Sequence, residues 1–358
     1  MSDPDRSKLE AALAAAEEPW LGGTLGAAGW PVAWDAHGKR ARIEIGYPLR
    51  RSRAATARKF AAAVAGGAGG TEVEIALEPV IRAHPVQPSL EPLEGIKNVI
   101  AVSSAKGGVG KSTVAANLAL ALADEGARVG MLDADIYGPS QPRMMGLKGR
   151  PKSTDGKRIQ PLDAYGLKVM SAGFLVDPDT PMIWRGPMVT QALTQLLSGT
   201  DWGELDYLVV DMPPGTGDIQ LTLAQNVPVA GAVIVTTPQE IAVADARKGV
   251  AMFEKVEVPV LGIIENMAGF RCAHCGEVTD IFGAGGGASL AEEKGVALLG
   301  RIPLDPRIQG AADGGRPSVA ADPEGDNASD YRAAALKTAA VLAQRSLTGS
   351  GGPEIIME

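Results

Sequence analysis

Residues Lys106–Thr113 read Lys-Gly-Gly-Val-Gly-Lys-Ser-Thr, set between an apolar run, Val99–Ser103, and a helix-forming run that opens at Lys111. Strand, glycine-rich loop and helix in that order commit this part of the chain to a β-loop-α unit whose loop turns its backbone N–H groups inward. Such a loop binds phosphate oxygens, and the helix dipole adds positive potential at the same point. Gly107, Gly108, Val109 and Gly110 form the cradle, and Lys111 is expected to reach the β- and γ-phosphates of a nucleoside triphosphate. The Ser112 hydroxyl, with Thr113 beside it, is the expected Mg2+ ligand. The strict pattern asks for glycine five positions before Gly110, where this chain has Ala105. Alanine is the smallest departure available, provided its φ is one an L-residue can hold.

Beyond the loop, the strand–loop–helix theme repeats. Strands are expected at Arg128–Leu132, Leu167–Ser171, Tyr207–Val210, Ala232–Val235, Val260–Ile264 and Leu298–Ile302. Most are continuous apolar runs rather than alternating ones, as strands buried on both faces should be. Helices are expected at Ser112–Glu125, Pro187–Leu197, Ile219–Gln225, Ala242–Phe253 and Ala288–Lys294. Residues 96–346 therefore read as an α/β domain, a doubly wound and mainly parallel sheet.

The region before it differs in kind. Residues 1–80 read as a small α+β domain: a strand at Arg42–Gly46, a helix at Arg53–Ala65 and an alternating strand at Thr71–Leu77. The glycine pairs Gly66-Gly67 and Gly69-Gly70 end the helix and turn the chain. Pro79, Pro85, Pro88 and Pro92 then make residues 81–95 a semi-rigid extended linker. At the far end, residues 347–358 open on Gly and Ser and read as a disordered tail.

Bulk properties exclude several classes. A net charge of −8 argues against a general nucleic-acid binder, which needs a basic footprint. No apolar run approaches the ~18 residues of a membrane span, and the charged start Met1–Glu10 carries no signal-peptide pattern. A cytoplasmic protein is expected. Its only cysteines are Cys272 and Cys275, too few for a disulfide-stapled fold.

Two acidic stretches come after expected strands: Leu132-Asp133-Ala134-Asp135, and Val210-Asp211 running on through Met-Pro-Pro-Gly-Thr-Gly to Asp218. Carboxylates at the C-terminal ends of parallel strands overlie the nucleotide crevice, where they can hold Mg2+ or orient an attacking water. Guanine-specific sites use an Asn-Lys-x-Asp stretch after a strand, whereas Asn266-Met267-Ala268-Gly269 has no such Asp. ATP is the expected nucleotide.

Cys272-Ala273-His274-Cys275 places two thiolates three apart, able to bite one metal ion or one cluster edge. A Zn2+ site or a [4Fe–4S] cluster usually wants four such ligands. With no further cysteine in the chain, the arithmetic points to a homodimer giving one pair per subunit. A redox pair, a Zn2+ knuckle and an Fe–S cluster all remain compatible with the spacing. The pair is expected in a loop between a strand and Thr279–Phe282.

Together these motifs resemble the Mrp (ApbC) family of iron–sulfur cluster carriers, P-loop ATPases with a deviant Walker A loop. The likeness rests on Lys106–Thr113, Leu132–Ser140, Met182–Met188, Asp211–Asp218 and the cysteine pair, and covers about residues 95–345. Gly46-Tyr47-Pro48 and the helix after it resemble the small iron–sulfur-assembly-associated domain of bacterial members. The resemblance implies that Lys106 crosses a dimer interface to the partner's nucleotide. It further implies that Asp135 orients water, Asp211 lies on the Mg2+ side, and Asn266 contacts adenine. Cys272 and Cys275 would hold a [4Fe–4S] cluster between subunits for transfer to apo-proteins, with ATP hydrolysed slowly. Two other functions belong to the same superfamily. A partition or division-site ATPase needs a membrane-targeting helix or a basic surface, and neither the tail nor the charge of −8 offers one. An ATP-driven reductase takes its cysteines from separated loops, unlike Cys-Ala-His-Cys.

Overall fold

The computed structural model describes residues 3–153, 156, 158–174, 186–272 and 274–348. Met182–Arg185 of the motif ending at Met188, and the expected tail from Gly349 on, lie outside the described residues.

Near the N-terminus, helix α1 (Asp3–Ala14) precedes a three-stranded sheet of β1 (Val32–Trp34), β2 (Arg40–Ile45) and β3 (Glu74–Pro79). β2 and β3 run parallel around helix α2 (Arg53–Gly67), and β1 adds an antiparallel edge. Alternation sets the two faces of β2. Ala41, Ile43 and Ile45 are fully buried, while Arg40 and Arg42 point outward to Glu74 and Glu78 of β3. Phe60 and Val64 of α2 and Leu9 and Leu13 of α1 are buried with them.

Among the described residues the larger sheet has nine strands. β4 (Val99–Ser103) leads into α3 (Lys111–Asp124), and β5 (Val129–Asp133) into the short α4 (Gln141–Met144). A hairpin of β6 (Leu162–Ala164) and β7 (Leu167–Ser171) precedes α5 (Gly186–Gly199). Then come β8 (Tyr207–Asp211), α6 (Asp218–Asn226), β9 (Gly231–Thr236) and α7 (Glu240–Lys255). The last part holds β10 (Val260–Arg271), β11 (Val278–Thr279), α8 (Gly286–Lys294), β12 (Ala297–Leu304), α9 (Pro306–Asp313) and α10 (Asp326–Thr348).

Strand order is β11-β10-β9-β4-β8-β5-β7-β6, with β12 also paired to β10. Pairing is parallel except at β10/β11 and β6/β7. β4, β5, β8 and β9 are buried along their whole lengths, which their unbroken apolar composition requires. The fold is the doubly wound α/β sheet expected from sequence, and β4 sits in its middle, where the order of connection reverses.

By compactness the chain makes two units. One takes in Met1–His84 with Asp124–Gly126 and the chain from Ala339; the other takes in Pro85–Ala123 and Ala127–Thr338. Within the first, a Cβ on Gly46 would stand 2.6 Å from the Ala343 methyl and 2.9 Å from the Trp30 ring, so the end of α10 seats directly on that glycine. Within the second, Gln87 from the proline-rich stretch is buried. Its Nε2 donates to the Ala224 and Val227 carbonyls, and its Oε1 accepts from Val229 N–H at 2.9 Å.

Two sequence expectations change. The strand expected at Val260–Ile264 continues to Arg271, past a register shift between Asn266 and Phe270 and positive φ at Met267 and Gly269. The cysteine pair stands in the loop that follows, as expected, and the pairing of β10 with β11 makes that loop the tip of a hairpin. The irregularity breaks the apolar period, which is why periodicity stopped short. Helix α10 has no counterpart among the expected elements, because its alanine-rich sequence shows little contrast between faces.

Candidate functional site

Parallel pairing brings the C-terminal ends of β4, β5 and β8 side by side. Asp211 is in register with Val102 on one side and with Asp133 on the other. The phosphate loop leaves β4 there, and α3 begins at Lys111. Gly108 and Gly110 both have φ +81°, and a Cβ on Gly107 or Gly108 would meet nothing within 4 Å, so the loop encloses open space. A Cβ on Gly110 would instead fall 2.2 Å from Asn266 Nδ2. That amide donates to the Val109 carbonyl at 2.8 Å, which ties β10 to the loop. Ala105 is not among the described non-glycine residues with positive φ, so the loop accepts alanine without backbone strain.

Lys111 is 6% exposed, ion-paired to the fully buried Asp211, and 3.2 Å from Ser112 Oγ. Gln141, at the start of α4, donates from Nε2 to Asp211 at 2.9 Å and to the Ser112 carbonyl at 2.9 Å. Its backbone N–H donates to Asp133 Oδ2, which also accepts from Ser171 Oγ, each at 3.0 Å. Burial, then the neighbouring Asp211 charge, push the Asp133 carboxyl up to about 7 against those donors. Asp135 lies two residues beyond it. Burial raises its pKa, and the Lys111 charge and the Gly138 N–H partly offset the rise. It lines a cavity of ≈ 550 Å³ with Tyr137, Pro214, Asp218 and Gln220.

Lys106 is half-buried in the loop, and its ammonium has no ion-pair or hydrogen-bond partner among the described residues. Thr113, one residue past Ser112 in the first turn of α3, has its carbonyl taken by Asn117 Nδ2 at 2.9 Å.

The cysteine hairpin is built from different materials. Cys272 N–H donates to the Glu277 carbonyl and Gly276 N–H to the Cys272 carbonyl, each at 2.9 Å. Gly276, at φ +75°, takes the left-handed turn that closes the tip. The backbone N–H of Cys275, then that of His274, draw the Cys272 thiol below the usual thiol range. Cys272 is half-buried and Cys275 exposed. Arg271 fixes the base of the hairpin to the start of α10, with Nη2 3.0 Å from Asp330 and Nη1 3.4 Å from Asn327. Among the described residues no three His, Cys, Asp or Glu side chains gather into a metal-holding group.

The site therefore joins Lys111, Ser112, Asp135, Asp211 and Asn266 around one loop, while Cys272 and Cys275 stand beyond the far end of β10. Gln141, Ser171, Gln220 and Arg271 were not foreseen. None carries a motif of its own, although Gln141 and Gln220 lie just past acidic stretches that were singled out.

This loop, its buried lysine–aspartate pair and the thiol hairpin match a known pattern. The family model described as ParA: NUBPL iron-transfer P-loop NTPase matches residues 95–339. The chain belongs to that family. An iron–sulfur cluster carrier protein of Pseudomonas fragi is 56% identical over 270 residues, 75% of this chain and 94% of that one. The mouse iron–sulfur cluster transfer protein NUBPL is 53% identical over 246 residues, 68% of this chain and 77% of that one. Among solved structures, a nucleotide-binding protein of Archaeoglobus fulgidus in complex with ADP is 42% identical, with a TM-score of 0.58. That likeness covers 65% of this chain and 91% of the other. As an iron-transfer P-loop NTPase, this NUBPL-family chain has its nucleotide loop and its thiol pair at opposite ends of one short stretch of β10.

Proposed function

We propose that this chain binds and slowly hydrolyses ATP while carrying a [4Fe–4S] cluster shared between the cysteine hairpins of two copies, and passes the cluster to apo-proteins. The observation that carries the reading is the unfinished thiol site: a preformed knuckle with an acidified Cys272 and no third ligand from its own chain among the described residues. A second copy supplies the missing pair. Tyr137 and Ile241 follow the C-terminal ends of β5 and β9, and Val278 and Ile281 lie on or just past β11; these exposed apolar side chains mark the surface a second copy would cover.

In the nucleotide site the cradle holds the phosphates and Lys111 neutralises their charge, while Lys106 reaches across to the partner's nucleotide. Ser112 and Asp211 fit a Mg2+ ion: the hydroxyl and the buried carboxylate are two oxygen donors that both meet the Lys111 ammonium. When bound, that ion would neutralise developing phosphate charge. Asp135 orients the attacking water. Asn266 gives its Nδ2 to Val109 and leaves its Oδ1 for the adenine edge, in keeping with ATP over GTP. Through β10 the same side chain links loop occupancy to the cysteine hairpin, so ATP can bias cluster release. No helix among the described residues is long and apolar enough to cross a membrane. We place the protein in the cytoplasm, where the thiols stay reduced. Neither a membrane nor nucleic acid is a partner in this reading.

Anaerobic reconstitution with iron and sulfide tests it. About four irons per pair of chains, an Fe–S absorbance band and a dimer are expected, all lost in Cys272→Ala. Half that iron or less, or an unaffected Cys272→Ala, would overturn the cluster assignment. Reconstitution giving Zn2+ alone would make the hairpin a structural knuckle.

A further inference from the structure

Gln220 occupies the first turn of α6, just beyond the loop that begins at Asp211. That loop is stitched to the phosphate strand along its length. Met212 N–H donates to the Val102 carbonyl at 3.0 Å, and Gly215 N–H to the Ser104 carbonyl at 2.9 Å. Gln220 adds a side-chain stitch, its Nε2 donating to Ser103 Oγ at 2.5 Å. Ser103 is the last residue of β4 before the phosphate loop.

The other half of the amide is unanswered. Gln220 is 2% exposed, and its Oε1 has no hydrogen-bond partner among the described residues. Turning the amide over does not help, because Ser103 can satisfy one end only and the other stays empty. A buried amide group without a partner is unfavourable, and the cost is recovered when a donor or acceptor arrives. Gln220 also lines the ≈ 550 Å³ cavity with Asp135, the carboxylate expected to orient water. Gln141 shares the unpartnered Oε1, but it is not among the residues along this cavity.

We infer that Gln220 is a second water-orienting group for nucleotide hydrolysis, holding the attacking water on the cavity side together with Asp135. Ser103 fixes one end of the amide and leaves the other unbonded, for that water to satisfy when it is held there. The inference rests on the ATPase reading above. In the step itself the water oxygen bonds to the γ-phosphorus as the bond to the β–γ bridging oxygen breaks, releasing ADP, phosphate and a proton. The amide orients and exchanges no proton. Its placement in the first turn of α6 would also make hydrolysis sensitive to the position of that helix, while binding stays with the phosphate cradle.

The test compares ATP turnover and ATP affinity in full-length wild type, Gln220→Leu, Gln220→Glu and Ser103→Ala. Gln220→Leu should lower single-turnover hydrolysis by about tenfold or more while ATP affinity changes by less than about threefold, the signature of an interaction made mainly in the transition state. Ser103→Ala, which frees the amide, should lower turnover less. If Gln220→Leu fails to fold, Gln220→Glu carries the measurement, and its turnover should fall with iron loading unchanged. Normal turnover in Gln220→Leu, or parallel loss of affinity and turnover, would sink the inference and leave the ATPase reading standing. A wild-type chain that bound ATP but hydrolysed none would end both together.

Discussion

The phosphate loop and the cysteine hairpin lie on the same strand-end edge of one sheet, yet they are finished to different degrees. Around the loop, Lys111, Asp211, Asp133 and Gln141 are all buried and bonded to one another before any ligand arrives. The hairpin holds one half-buried thiol and one exposed thiol, fixed by backbone bonds and by Arg271 at its base. The ligands account for the difference. A triphosphate is bound largely by backbone N–H groups and one cation, and a single chain can present them all. A cluster demands four soft donors, and this chain has two. The phosphate-facing groups of the first site come from one chain, with Lys106 left over for a partner in the proposed dimer; the second has two thiols of the four donors a cluster wants.

The largest effects should separate the two. Lys111→Ala removes the cation that meets the phosphates, and ATP turnover should fall roughly 100-fold or more with iron loading retained. Cys272→Ala should do the reverse, abolishing iron binding while ATP binding persists. A chain in which either substitution destroyed both activities would show that the regions are not separable. Next in size is Asp211→Ala, which strands the Lys111 ammonium in a buried position. It should cost about 3–5 kcal/mol in urea unfolding, far more than any single change at the exposed hairpin tip.

Gly110→Ala forces a left-handed φ on alanine and drives its methyl into Asn266. A loss of about 1–3 kcal/mol is expected. Iron release should then lose its dependence on ATP, measured as transfer rate with and without nucleotide. Unchanged coupling would argue that β10 is not the link. Smaller again is the pH profile of Cys272. Its lowered pKa means that thiolate forms at lower pH, so alkylation read out by peptide mass should rise along a curve shifted to acid of an ordinary thiol. The smallest effect belongs to Ala105→Gly. Because Ala105 carries no backbone strain, turnover should stay within about twofold and stability should fall by about 0.4–1 kcal/mol.

How much of the molecule was legible in its sequence depends on range. Leu167–Ser171 matched the strand residue for residue, and the other parallel strands came within one or two residues wherever a continuous apolar run ended at a turn. β10 did not, because its positive φ at Met267 and its register shift answer to partners on either side rather than to its own sequence. Asp135, Asp211 and Lys111 could be named because they sit in spaced motifs. Gln141, Ser171 and Gln220 could not, since an amide or a hydroxyl becomes part of a site only when a fold carries it there.

By itself, then, the sequence determined the glycine-rich P-loop, the pair of thiols and, through repeated apolar runs, the α/β class, since each follows from local patterns of consecutive residues. The tertiary structure alone decided three things. Burial, with Asp211 in register beside it, drives Asp133 toward neutrality. Asn266 ties the cysteine strand to the loop. The end of α10 closes over Gly46 in the N-terminal unit. These are contacts between segments far apart in the chain, and no local pattern encodes which distant partner will fill a space or share a charge.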